Sequence, residues 1–205
     1  MQERGEASRD ALLDAAMELV AERGLAGLSH RAVAERAGVS SGMTSYFFAS
    51  LDELGREAII RNYAVHIADL RAVIDDLTAT HASPALIVRA AANILTAISE
   101  QVMLAHAEVC LNAARRDDLR DALRPMLSTL RELAEATADV IGIEDRAAFG
   151  RSASAIVDGI QLRRLAEGIS GRDELEHALL LLGTGLLATQ AEPERWRARL
   201  DGATP

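Results

Sequence analysis

Residues 28–54 read LSHRAVAERAGVSSGMTSYFFASLDEL, and the order of caps and turns in this stretch decides the fold. Ser29 is placed to cap a short helix by accepting a hydrogen bond from a first-turn amide. Ala32, Val33, Ala34 and Ala37 give that helix an inward face of small residues. Gly38 supplies the backbone freedom of a tight turn. Val39 follows, and Ser40 is read as the cap of a second short helix over about 41–47. Ser50-Leu51-Asp52-Glu53 is a capping box with Glu53 at the third helical position, and it opens a long helix. Two short helices joined by a Gly turn make the helix-turn-helix layout, whose second helix enters the DNA major groove. That helix would present Ser41, Thr44, Ser45 and Tyr46 to phosphates and base edges, and Gly42 would allow close backbone approach.

Working outward, residues 9–23 carry Leu12, Leu13, Ala16, Leu19 and Val20 at helical spacing, with Ser8 before them and Gly24 as the stop. The fourth helix extends to about residue 80. Ser83-Pro84 starts helices over 85–116, and Asp117-Asp118 starts one that ends at Gly142, with Pro125 expected to bend or interrupt it. Helices over 144–167 and 173–190 follow, and a polar, frayed tail is expected after them. Ala, Leu, Glu and Arg dominate, and runs of β-branched residues at period two are missing. The expected fold is therefore all-α, with about nine helices. A three-helix, helix-turn-helix DNA-binding domain over 1–50 is joined by the fourth helix to a larger ligand-binding and dimerisation domain over 51–192. The polar tail covers 193–205.

The same stretch resembles the TetR family of bacterial regulators. The likeness covers residues 8–55 in detail: the helix ending in Gly24, Ser29-His30-Arg31-Ala32-Val33-Ala34, Ala37-Gly38-Val39-Ser40-Ser41-Gly42, Tyr46, Phe48 and Asp52-Glu53-Leu54. Beyond it the resemblance lies in helix count and in Asp158-Gly159. It implies a one-component repressor that binds palindromic operator double-stranded DNA as a homodimer and is released by a small-molecule inducer. The DNA-contacting residues would be Ser29, Arg31, Ser40, Ser41, Gly42, Thr44, Ser45, Tyr46 and Phe47. The chain departs from the family where many members carry Tyr, His and Lys at the positions of Ser45, Phe47 and Leu51. The alternative is a DNA-binding protein of the same fold that has no inducer and acts through a protein partner.

Charge argues against nucleic acid at first sight. The chain of 205 residues has net charge −9, and up to residue 55 five arginines face nine carboxylates. Binding must come from a local arrangement rather than an overall basic footprint.

Residues 178–188, ALLLLGTGLLA, are apolar nearly all round, so every side needs cover. With the preceding helix they are read as half of a four-helix dimer interface through Ile156, Ile160, Leu179, Leu182, Gly183 and Leu186. The embedded G-x-G-x-x-A has no preceding strand and is not a nucleotide site. Polar residues within apolar surroundings fit a ligand cavity in helices 4 to 8, or else surface positions and core residues paired internally, and the resemblance implies an inducer pocket there. His66, Asn93, Met103, His106, Asp158 and Gln161 are the candidates, with Leu70 and Ile94 as further wall residues. His106 and Cys110 lie one turn apart, but two ligands do not make a metal site. No metal and no cofactor are expected. Neither H-E-x-x-H, G-x-S-x-G nor a Walker loop is present, so no catalytic residue is assigned and the chain is not expected to be an enzyme. The single Cys110, the polar first ten residues and the lack of a 20-residue apolar run lead to the expectation of a cytoplasmic protein without a membrane span.

Overall fold

The computed structural model describes residues 2–202, which form ten α-helices and no strand. They are α1 (Gln2–Arg23), α2 (His30–Ala37), α3 (Gly42–Phe47), α4 (Leu51–Ala79), α5 (Pro84–Ala97), α6 (Glu100–Ala113), α7 (Asp117–Ile141), α8 (Arg146–Glu167), α9 (Arg172–Ala191) and α10 (Pro193–Leu200). A 3-10 turn, Leu25–Gly27, links α1 to α2. Among the described residues, no single helix is long and apolar enough to cross a membrane.

The chain packs as two compact units. The first comprises the chain to His66 together with Ile98–Met126; the second comprises Ile67–Ala97 together with the chain from Leu127 onward. In the first unit, Leu12, Leu13, Leu19 and Val20 are buried as one stripe of α1, and Val33, Leu54, Ile59 and Val109 are buried in the same unit. α6 packs on α1. Gly24 ends α1 at φ 69°, and a Cβ there would come within 3.1 Å of the Glu108 carboxylate of α6. In the second unit α9 packs on α5 and α8, with Ile87 and Leu175 fully buried.

Three local expectations are corrected. Ser40 does not cap α3: that helix is opened by a backbone bond from Met43 N–H to the Ser40 carbonyl, at 3.0 Å. α7 runs through Pro125 without interruption. Pro125 is exposed, and so is Asp121, whose carbonyl loses its donor to the proline ring and can meet water. The tail is helical from Pro193, a residue suited to the first turn. Ion pairs of Arg195 with Glu192 and of Arg197 with Glu194 support α10, which docks on α9. The Arg199 guanidinium lies 5.8 Å from the centre of the Trp196 ring. Residues 203–205 of the expected tail lie outside the described residues.

Candidate DNA-binding surface and ligand cavity

Local hydrogen bonds build the helix-turn-helix. Ser29 Oγ accepts from Ala32 N–H at 3.1 Å, capping α2. Gly38 closes α2 in the left-handed region, at φ 67°, and Val39 N–H reaches back to the Ala34 carbonyl at 3.0 Å. At the start of α4, Glu53 N–H donates to Ser50 Oγ at 3.1 Å while the Glu53 carboxylate accepts from Ala49 N–H at 2.6 Å. The carboxylate thus answers the amide one residue before the cap. Asp52 pairs with Arg116 at 2.9 Å, so part of the acid at this helix start is neutralised.

Thr44 is a correction. It is fully buried and is not a DNA contact. Its hydroxyl donates to the Ser41 carbonyl at 3.0 Å and lies 2.9 Å from His30 Nδ1. With that proton committed, Nδ1–H of His30 is the donor to the Thr44 oxygen. This polar pin ties α3 to α2, and it sets the phase of α3. Ser40, Ser41, Gly42 and Ser45 are exposed, and Tyr46 is 78% exposed. Tyr46 packs edge-on against half-buried Phe47, with ring centres 4.9 Å apart. Phe48 turns inward, and the Arg9 guanidinium lies 5.1 Å from its ring centre.

The arginines of this surface differ in availability. Arg36 is held by Glu22 and Glu18 at 2.9 Å each, which raises its pKa, and Arg36 in turn lowers that of Glu22. Arg31 is exposed and has no ion pair among the described residues. Among the described residues, Arg31 on α2 is therefore left without an ion pair in a segment of negative net charge.

The second unit contains a cavity of about 60 Å³. Its walls include Leu70 and Ile74 of α4, Leu133 of α7, Phe149 and Val157 of α8, and Leu179 of α9. Two hydroxyls touch it. Thr137 Oγ1 donates to the Leu133 carbonyl and Ser154 Oγ to the Gly150 carbonyl, both at 2.9 Å.

Residues 12–58 match the family model described as bacterial regulatory proteins, tetR family, and residues 79–185 match that of the tetracyclin repressor-like C-terminal domain. The chain belongs to the TetR family. It is a transcriptional regulator. Solved structures similar to it include a transcriptional regulator from Rhodococcus sp. at 28% identity, with TM-score 0.71 and coverage of 88% of this chain and 96% of that one. Another is a TetR family member from Streptomyces coelicolor A3, at 29% identity and TM-score 0.68, covering 85% and 97%. A third is the multidrug binding protein EbrR complexed with proflavin, at 27% identity and TM-score 0.58, covering 85% and 99%. No curated protein matches the chain.

In this TetR regulator none of the six polar or soft residues read from sequence as pocket candidates lines the cavity just described. Met103 and His106 are buried in the first unit, where His66 is half-buried. His106 lies tilted on Tyr63 with ring centres 4.5 Å apart, and its Nε2 is 3.5 Å from Cys110 Sγ. Burial pushes the His106 pKa down to about 4, so the ring is neutral. Asn93 and Asp158 are exposed. Gln161 is buried, but its amide donates to the Leu95 carbonyl and its oxygen accepts from Arg164, both at 2.6 Å. Of the further wall residues, Leu70 does line the cavity. The signal that would have found more is on α7, where Leu130, Leu133, Ala134 and Thr137 recur at helical spacing and all touch it.

The outer faces of α8 and α9 also differ from expectation. Ile160, Leu179 and Gly183 are buried within the chain itself, so they are corrected as interface residues. Ile156, Leu182 and Leu186 are half-buried. The large apolar side chains left open are instead Leu162 on α8, 60% exposed, and Leu181 and Leu187 on α9, 59% and 38% exposed. A helix apolar nearly all round carries no stripe to fix its rotation, and packing against α5 and α8 selects the inward face.

Proposed function

We propose that this regulator is a repressor that binds a palindromic operator as a homodimer and is released by a small molecule entering the second unit. The observation that carries the reading is the surface of α3, where Gly42, Ser45 and Tyr46 stand open while buried Thr44 fixes the helix behind them. Tyr46 and Ser41 offer hydroxyls to phosphates, Arg31 offers a free guanidinium, and Ser45 faces the base edges. Ser40 and Phe47 flank them, and Ser29 contributes by holding the amide end of α2. The DNA-binding part is residues 1–50, the ligand and dimer part 51–192, and the tail 193–205. Dimerisation through Leu162 and Leu181 brings together two recognition helices, as a two-fold operator requires.

The inducer reading is supported by the cavity, which α4 and α8 both line. A filled interior would have favoured release through a protein partner. α4 follows α3 in the chain and reaches the cavity with Leu70 and Ile74, so a ligand preferring one pose of α4 acts on the helix next to the DNA surface. Linkage makes the coupling reciprocal, and typical factors are about 5–150-fold.

The test is operator binding by fluorescence anisotropy, on a palindromic duplex obtained by selection with the parent protein. Ser45→Ala with Tyr46→Ala should weaken binding at least about tenfold, since each lost groove or phosphate contact costs roughly 1–3 kcal/mol. Unchanged affinity in that double variant would remove α3 from the interface.

A further inference from the structure

We infer that the cavity of the second unit selects an uncharged aliphatic molecule and discriminates against ions of either sign. This deepens the ligand reading proposed above and rests on it.

The wall holds no charged side chain and a single aromatic ring, Phe149. Its two hydroxyls already donate to their own helices, so neither offers a free proton to a ligand. Ser154, Ala134, Leu130 and Ala91 are the half-buried wall residues, and they mark the open side. Next to them on α7, Arg131 and Glu135 pair with one another at 3.6 Å, so neither is a free counter-ion for a head group. Asp158, one turn beyond Ser154 on α8, is not part of the wall. An ion entering this space would lose water and gain no charged partner; a cation would find only the two hydroxyl oxygens as acceptors, too little to offset its desolvation. One aromatic face offers little to a flat cation, whereas aliphatic groups gain from every methylene removed from water.

Recognition by burial alone has a measurable signature. In a homologous series, affinity should rise about three- to fourfold per methylene until the cavity is full. The point where the gain stops measures the ligand length the fold accepts.

The experiment is a methyl NMR titration of the full chain, following the signals of Ile74, Val88 and Val157. The probes are 1-butanol, 1-pentanol and 1-hexanol, then hexanoate and hexylammonium. The alcohols should move these three residues, the stepwise gain stopping where the chain outgrows a cavity of about 60 Å³, and both ions should bind at least about tenfold more weakly than 1-hexanol. Ala134→Leu, at the half-buried rim, should weaken all alcohols without unfolding the chain. Ser154→Val repeats the test from the opposite helix. If either ion binds within tenfold of 1-hexanol and Ala134→Leu weakens both, the cavity is the ligand site but the charge selection is overturned. If no probe moves these methyl groups, or both rim variants leave binding unchanged, the ligand reading itself fails.

Discussion

The pair α2–α3 and the pair α8–α9 both present open surface, but they are built on opposite principles. On α3 the exposed side chains, Ser45 and Tyr46, carry hydroxyls, and their orientation is fixed by a hydrogen-bonded threonine and histidine underneath. On α8 and α9 the exposed large apolar groups are leucines, and their orientation is fixed by how much apolar surface the unit can bury on the other side. A polar surface needs a rigid mount because hydrogen bonds to DNA are directional. An apolar surface tolerates small rotations, because burial is not directional.

That contrast can be broken most sharply on α9. Leu179 is 6% exposed and Leu181 is 59% exposed, two residues apart on one helix. Leu179→Glu should destabilise the second unit by about 3–5 kcal/mol, the cost of a buried charge without a partner. Leu181→Glu should leave the fold intact and shift the protein to monomer. Sedimentation combined with thermal unfolding separates the two outcomes. An unfolded Leu181→Glu or a stable Leu179→Glu would mean that the rotation of α9 is different.

Acid should tell the units apart next. His106 of the first unit lies neutral between Tyr63 and Cys110. In the unfolded chain its ring takes a proton as the pH falls through 6.5, whereas in the folded chain it does so only near about 4. Between these values the unfolded state holds more protons, so this residue's stability cost is absent above pH 6.5 and grows as the pH falls toward 4. At its largest it is on the order of 3 kcal/mol. His106→Gln should flatten this dependence relative to the parent in denaturant titrations from pH 7 to 4.5. An unaltered difference between the two proteins across that range would show that the ring is not buried neutral.

The smallest effect sharpens the α3 side. Thr44→Val keeps the volume and removes the pin, and should cost about 1 kcal/mol, because His30 and the Ser41 carbonyl can turn to water. Operator affinity should fall with it. Ser45→Ala should change stability by less than about 0.5 kcal/mol and still lower operator affinity. If both variants moved stability equally, Thr44 would not be the mount.

These differences explain what could be read from the sequence. Caps, turns and boxes act within four residues, so Ser29, Gly38 and Ser50-Glu53 identified α2, its turn and the start of α4 directly. The inward stripe of α1 was equally legible. Thr44 was not, because a threonine at that position looks like a surface residue until His30, fourteen residues away, supplies its partner. The rotation of α9 was not legible either, since leucines on every side give no phase. Buried polar groups demand partners, so the sequence points to polar residues as the pocket wall. Gln161 meets its partner at Leu95 and His106 at Tyr63 and Cys110, while Asn93 and Asp158 face solvent, and the cavity is left to aliphatic walls. The helical tail was missed because its support comes from ion pairs and from docking on α9 rather than from hydrophobic periodicity.

Trp196, on α10 against α9, is the only tryptophan of the chain, and both tyrosines, Tyr46 and Tyr63, belong to the first unit. The molecule thus carries a separate optical label in each half. Indole emission reports the docking of α10 in the second unit, with the Arg199 cation over its ring as a local modulator. Phenol absorbance reports the exposed recognition helix and the packed ring beside His106. Coincident loss of the two signals in denaturant would mean that both halves unfold as one cooperative body, and separated transitions would give each half its own free energy.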